Sequence, residues 1–413
     1  MPTWLNKLGP GLVTGASDDD PSGIATYAVA GAAFGYATLW TAVLTLPLMV
    51  AVQLVCARIG MVCGVGLTGA LRRHYPRPLL YAICLLLLIA NVFNIAADFG
   101  GMADAVAMLT GIPSLIAVPA LGGAIVSFTI FTRYVTFAKY VKWSTLVLLS
   151  YLAAAVLAHP DWRTALYRTI VPDILWSRPY LTTVVAILGT TISPYLFFWQ
   201  ASYEVEAEKG MGRRTRSSRR GATDAELADA QADVITGMTF SNAVQFFIIL
   251  ATASTLFRTG HRDIETTRQA AEALRPLAGP AAYALFAIGL IVSGLLAVPV
   301  LAGSASFAIA ELRGWRAGLD EPFRRAHRFY LVFGAAVAIG IALDVFNVRP
   351  IKMLFYAAIL NGVAAPPLMA IIMLVANNRR VMGARTNTPA LNALGWLATA
   401  IMTVASVGMI LAG

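Results

Sequence analysis

Long apolar runs dominate this sequence, and they leave it few choices of fold. An α-helix needs about 20 residues to cross about 30 Å of hydrocarbon. Eleven stretches of that kind fill the chain, centred near residues 22, 48, 92, 122, 150, 193, 246, 296, 337, 363 and 402. Inside a bilayer every backbone N–H and C=O must be bonded within the chain, so such runs fold as helices. The expectation is an all-α polytopic membrane protein, one transmembrane domain over residues 1–413, with no room for a second globular domain. Only 13% of the residues are charged, against roughly 25% in soluble domains.

The net charge of +10 would suit a nucleic-acid binder, but the basic residues sit in short loops between apolar runs. That placement is an orientation signal. With the N-terminus in the cytoplasm, 22 Lys and Arg fall on the inner side and 9 on the outer. The expectation is therefore a cell (inner) membrane protein, N-terminus cytoplasmic and C-terminus external. The first apolar stretch runs on as a full span, with no cleavable signal pattern before it. In the basic segment after residue 209, Asp224 is the expected N-cap of a cytoplasmic helix start.

Other function classes find little support. The cysteines Cys56, Cys63 and Cys84 lie in or beside apolar segments, without CxxC or zinc spacing, and read as packing residues. His74, His159, His261 and His327 all fall in expected loops. No nucleotide-binding loop, zinc motif or nucleophile elbow occurs. No enzyme, no cofactor, no nucleic-acid partner and no obligate protein partner is expected.

Two spans are interrupted. The first reads GPGLVTGASDDDPSGIATY, with three aspartates before Pro21. A carboxylate at membrane depth costs at least about 2.5 kcal/mol on insertion scales. Proline removes a backbone donor, and Gly23 permits unusual dihedrals. An unwound turn would expose carbonyls beside Asp20, and hard cations bind such oxygens. Asp18 and Asp19 either join that site or cap a half-helix at the membrane surface. The sixth span breaks at Ser193-Pro194, freeing the carbonyls of Thr191 and Ile192, unless this is an ordinary proline kink. Interrupted segments five spans apart point to a midplane site in an inverted-repeat transporter. Asn361-Gly362 is expected to break the tenth span. Glu204, Glu206 and Glu208, at spacing two, spread over different helix faces and read as a solvated helix end or a cation-attracting inner mouth. Asn242 reads as an interhelical hydrogen bond, and the glycines of GLIVSGLLAVPVLAGSAS as packing surfaces.

GPG…DPSGIAT…AGAAFGYATLW, RRHYPRP and SPYLFFWQAS together resemble the natural resistance-associated macrophage protein (NRAMP) family of divalent metal transporters, over most of the chain. The resemblance implies a LeuT-like fold of two inverted five-helix repeats plus one extra helix, about 11 transmembrane helices. The repeats would run about 9–160 and 180–378, with the extra helix about 390–412. It implies a metal site where helices one and six unwind. Asp20 matches the family's metal-binding aspartate, and Gly23 stands where the family has an asparagine ligand. Thr191, Ser193 and Pro194 fall on the helix-six motif, with Ser193 in place of methionine. Asp20, Gly23, Thr191 and Ser193 are thus the expected metal residues, with Asp19, Asn361 and Asp98 around them. Tyr195 and Gln200 replace two family histidines, and Ile95 replaces one acidic residue of the helix-three relay, leaving Asp98.

A hydroxyl in place of a thioether makes the site harder. Few titratable groups remain in the core for proton coupling. Similar losses mark an NRAMP-related branch associated with magnesium transport. The expected function is a secondary carrier of divalent cations, Mg²⁺ or Mn²⁺, weakly or not proton-coupled. Its rivals are a proton-coupled Mn²⁺/Fe²⁺ importer of the usual family type, a carrier of a small organic solute on the same fold, a non-transporting metal sensor, and a channel.

Overall fold

The computed structural model describes residues 9–132, 148–275, 279–344 and 350–411. Among them the regular elements are helical throughout. The first apolar stretch forms two half-helices, α1 (Pro10–Asp18) and α2 (Pro21–Phe34). They are followed by α3 (Trp40–Cys63), the short α4 (Leu67–Leu71), α5 (Arg77–Thr110), α6 (Ser114–Phe131), α7 (Leu149–Leu157) and α8 (Trp162–Ile170). The sixth stretch is again split, into α9 (Arg178–Thr191) and α10 (Pro194–Gly210). Then come α11 (Asp224–Thr252), α12 (Ala282–Arg313), α13 (Phe323–Asp344), α14 (Pro350–Ala376) and α15 (Pro389–Leu411).

Nine helical segments among the described residues are long and apolar enough to cross a membrane. They coincide with nine of the eleven expected spans. The first expected span is the α1–α2 pair, set apart from the nine by its three consecutive aspartates. The fifth, centred near residue 150, lies partly in residues outside the described set; α7 is its described end.

The core is organised around α5, which packs against α12, α13 and α14. Small residues set how closely the helices approach. A Cβ on Gly15 would stand 2.2 Å from the Gly237 carbonyl oxygen, so α1 and α11 touch backbone to backbone. A Cβ on Gly189 would stand 2.3 Å from the Gly362 nitrogen, which locks α9 to α14 in the same way. In α12, Gly294 receives Met102 and Gly303 receives Trp199, the packing role expected of that glycine run.

Four local expectations are corrected. Asn361-Gly362 does not break its span: α14 continues through it. Pro366 removes the donor for the Gly362 carbonyl, and the Ser406 hydroxyl of α15 supplies another at 3.0 Å, so the helix holds. Thr223, not Asp224, caps α11, in a reciprocal capping box with Glu226; Asp224 pairs instead with Arg385. His327 lies inside α13 rather than in a loop. Glu204, Glu206 and Glu208 are buried, not solvated. Each has its own partner, as residues on different helix faces should. Glu204 accepts from the Gln200 amide at 2.8 Å. Glu206 accepts from Lys209 at 2.6 Å and from the Leu319 N–H at 3.0 Å. Glu208 lies 3.6 Å from Arg213.

Candidate functional site

Both helix breaks have one backbone design. Between α1 and α2 the two linking residues are Asp19 (φ −82°, ψ 55°) and Asp20 (φ −71°, ψ 169°), followed by Pro21 as first helical residue. Between α9 and α10 they are Ile192 (φ −120°, ψ 58°) and Ser193 (φ −80°, ψ 135°), followed by Pro194. Asp20 and Ser193 therefore occupy equivalent places, each the N-cap of the second half-helix.

Each proline strips a donor from the carbonyl four residues earlier. For Pro21 that carbonyl is Ser17, and it accepts from the Tyr195 hydroxyl at 3.0 Å. For Pro194 it is Thr190, and it accepts from the Ser193 hydroxyl at 2.8 Å. Tyr195 also stands 3.4 Å from Asp20 Oδ2. One side chain from the second break thus repairs the first and faces its carboxylate.

Asp20 is 1% exposed. Its Oδ1 accepts from the Gly23 N–H at 2.6 Å and the Ser22 hydroxyl at 2.9 Å, holding α2 by its N-terminus. Oδ2 carries only the long contact to Tyr195. A Cβ on Gly23 would meet Thr190 Oγ1 at 3.0 Å and the Asp18 carbonyl and Asp20 Oδ1 at 3.4 Å each. Three oxygens thus crowd the place where a side chain would start, and glycine lets them approach this closely. Ser193 spends its hydroxyl proton on its own helix, which leaves the oxygen's lone pairs for a cation or water. Thr191 sits in the same turn, its hydroxyl folded back onto the Ile187 carbonyl at 2.8 Å.

Asp18 and Asp19 do not lie at a surface; both are fully buried against α11. The Ser241 hydroxyl meets Asp18 Oδ2 at 2.6 Å and Asp19 Oδ1 at 3.2 Å, while Asp18 Oδ1 and Asp19 Oδ2 find no partner. Asp98 of α5 is buried near the Ser22 N–H and within electrostatic reach of Asp20. Asn94 and Asn361 are buried with neither amide atom hydrogen-bonded. No Lys or Arg occurs in α1, in α2 or between residues 179 and 208. The breaks thus collect buried carboxylates without a counter-charge, an arrangement costly unless protons or a cation neutralise it. Among the described residues no three His, Cys, Asp or Glu side chains converge as a ligand set. A cation here would draw on carbonyls, hydroxyls and water beside one or two carboxylates.

Tyr195, Thr190, Ser22 and Ser241 belong to this constellation and were not among the expected site residues. Tyr195 and Thr190 carried a usable signal, since each is placed by its spacing from Pro194. At Ile95 the structure shows an apolar contact: it packs against Gly340 of α13. That helix carries no charged residue from Phe329 to Leu343. Asn242 donates to Thr45 Oγ1 at 2.9 Å, the interhelical bond expected of it. A cavity of about 960 Å³ lies at the far end of α11, lined by Ser254, Arg258 and Glu272 among others, and includes none of the break residues.

Comparison with known proteins places this architecture. The model of the "Natural resistance-associated macrophage protein-like" family matches residues 11–412. A divalent metal cation transporter MntH from Klebsiella pneumoniae subsp. pneumoniae is 26% identical over 401 residues, covering 96% of this chain and 92% of the relative. A protein of the same name from Burkholderia ambifaria is 26% identical over 382 residues, covering 92% and 82%. The crystal structure of an Eremococcus coleocola manganese transporter superposes with TM-score 0.79 at 19% identity, covering 98% of this chain and 86% of that one. Mhp1, a nucleobase-cation-symport-1 family transporter, superposes with TM-score 0.60 at 13% identity, covering 98% and 92%. The fold is thus the LeuT-like five-plus-five arrangement with an added helix. By its match over nearly the whole length, the chain belongs to the natural resistance-associated macrophage protein-like family, a family of membrane transporters and not of enzymes.

Proposed function

We propose that this protein carries divalent metal cations across a cell membrane by alternating access, through a site at the two helix breaks. The observation that carries this reading is the meeting of two matched breaks around the buried Asp20, among further carboxylates and with no basic residue nearby. Asp20 Oδ2, the Ser193 oxygen and carbonyls of the unwound turns would hold the ion, with Gly23 letting oxygens gather closely beside Asp20. Asp19, Asp98 and Asn361 would shape the field around it.

Every donor in this set is a hard oxygen. Hard oxygens suit Mg²⁺ or Mn²⁺, and a set with so few carboxylates suits an ion that keeps part of its water. Weak or absent proton coupling is supported by Ile95 against the uncharged Phe329–Leu343 stretch of α13, and by the lack of histidine in either break. A divalent ion entering an inside-negative cell gains about 4.6 kcal/mol per 100 mV, which can drive uptake without protons. The inner-side excess of Lys and Arg supports an N-in, C-out orientation. The equivalence of Asp20 and Ser193 supports repeats of about 9–160 and 180–378. A second reading, a proton-coupled Mn²⁺ importer, is favoured by the likeness to a manganese transporter.

Ligand-dependent thermal unfolding tests the site directly. A cation bound only by the folded state stabilises by about 2.7 kcal/mol at a hundredfold excess over its Kd. Mg²⁺ or Mn²⁺ should raise the unfolding temperature of the wild type and not of Asp20→Asn. An equal rise in both proteins would remove Asp20 from the site.

A further inference from the structure

The connector between α7 and α9 carries an apolar surface that the fold leaves uncovered. Its helix α8 buries Ala165 against the start of α3 and the turn after α2. Leu166, Tyr167 and Ile170 point away, with Ile170 77% exposed. Beyond it, Ile174, Leu175 and Trp176 are exposed as well, Trp176 at 85%. A water-soluble loop does not sustain such a surface. The segment joins two apolar stretches of the chain, the second of them the α9–α10 span, which places it at the edge of the membrane region. Tryptophan, tyrosine and arginine around an amphipathic helix are the composition of a membrane-interface element.

Its charges point the same way. Asp161 caps α8 by accepting from Thr164, and Asp173 pairs with Arg168 at 2.9 Å. Both acids are engaged within the segment, and Arg163 and Arg178 remain as exposed cations at its two ends. The segment is also fastened to the broken first span. The Asp161 N–H donates to the Tyr36 hydroxyl at 3.3 Å, just past α2. The Tyr180 hydroxyl accepts from Trp40 at 2.9 Å and reaches both the Ala37 and Asp173 carbonyls, at 2.9 and 2.8 Å.

We propose that residues 161–178 form a lipid-seated arm: its apolar face enters the boundary between acyl chains and headgroups, Arg163 and Arg178 take phospholipid phosphates, and the contact is passed to the outer end of α2. The inference rests on the membrane reading. Its first test, by fluorescence, needs no transport, so it fails or stands apart from the proposed function. Purified protein and W162F/W176F are placed in bilayers of brominated phosphatidylcholine. The wild type should lose more emission than the variant, and the difference should resist quenching by aqueous iodide. A difference quenched by iodide and not by bromine, or by neither, would overturn the lipid seat in favour of water or a covering protein surface. Metal uptake is then compared in vesicles of phosphatidylglycerol and phosphatidylcholine in equal parts and of phosphatidylcholine alone. Attraction of the cation to the anionic surface is common to all proteins compared and cancels in the ratio. R163Q/R178Q should lose the phosphatidylglycerol preference by up to about fivefold per arginine. An unchanged preference would overturn the headgroup assignment and the link to α2.

Discussion

Asp233 tests whether α1 is held shut by electrostatics or only by packing. Its carboxylate, on α11, accepts from the backbone N–H groups of Gly9, Gly11 and Leu12 at 2.9, 2.7 and 3.1 Å. Those are orphan donors at the start of α1, where the N-cap residue Gly9 has no side chain to cap them. Losing a cap costs about 0.5–2 kcal/mol, and a partly buried charge on a helix end is worth up to about 2 kcal/mol more. Asp233→Ala should therefore weaken docking of α1 on α11 by about 1–4 kcal/mol, or roughly 5- to 800-fold in the local opening equilibrium. Hydrogen exchange read by mass spectrometry measures this at the amides of Gly9, Gly11 and Leu12. Their exchange should accelerate by that factor while the amides of α5 stay protected. Asp233→Asn keeps an acceptor without the charge and should fall between. Unchanged exchange in Asp233→Ala would refute the electrostatic fastening and leave α1 held on α11 by the Gly15–Gly237 packing and the Asp18–Ser241 bond.

Other substitutions follow from the same geometry. Gly15→Ala forces a methyl to within 2.2 Å of backbone and should destabilise by about 1–3 kcal/mol or more. Gly123→Ala, with nothing within 4 Å, should be neutral or stabilising, as thermal unfolding of the two variants will show. Cys56, Cys63 and Cys84 are free and buried, so a bulky maleimide should label the protein only after denaturation. Outside the membrane, the Tyr283 hydroxyl and Arg275 hold the Glu272 carboxyl below the usual glutamate range. A depressed value means that the contact stabilises fully above that range and is lost as pH falls through the lowered value. Hydrogen exchange at the amides of residues 272–275, corrected for the intrinsic pH dependence, should therefore accelerate only in that acidic window. In Glu272→Gln the rate should no longer step there.

The spans and both breaks were legible in the sequence because their causes are local: run length, and proline beside a polar residue. Asn361-Gly362 shows the limit of that reasoning. It has the composition of a break, but the nearest proline is four residues on, and a hydroxyl from α15, distant in sequence, satisfies the carbonyl that proline orphans. The Glu204, Glu206 and Glu208 run misled for a related reason. Its partners Leu319 and Arg213 arrive from loops whose positions no local pattern reveals. At the candidate site, Asp20 and Ser193 could be named from Asp-Pro and Ser-Pro. The bond from Tyr195 to Ser17 spans 178 residues of sequence and emerges only when the two half-helix pairs are seen together. Ser241 is likewise an ordinary serine of an apolar helix until α1 is laid against it.

The most direct test of the central claim is cation uptake into proteoliposomes of purified protein under an imposed inside-negative potential. Mg²⁺, Mn²⁺ and Ca²⁺ are compared with an internal pH dye in parallel, for the wild type and Asp20→Asn. The account predicts saturable Mg²⁺ or Mn²⁺ entry without acidification in the wild type, and none in Asp20→Asn that remains folded and inserted. Undiminished uptake by Asp20→Asn would contradict the site. Mn²⁺ entry with acidification and no Mg²⁺ entry would contradict the hard, uncoupled carrier and leave a proton-coupled importer.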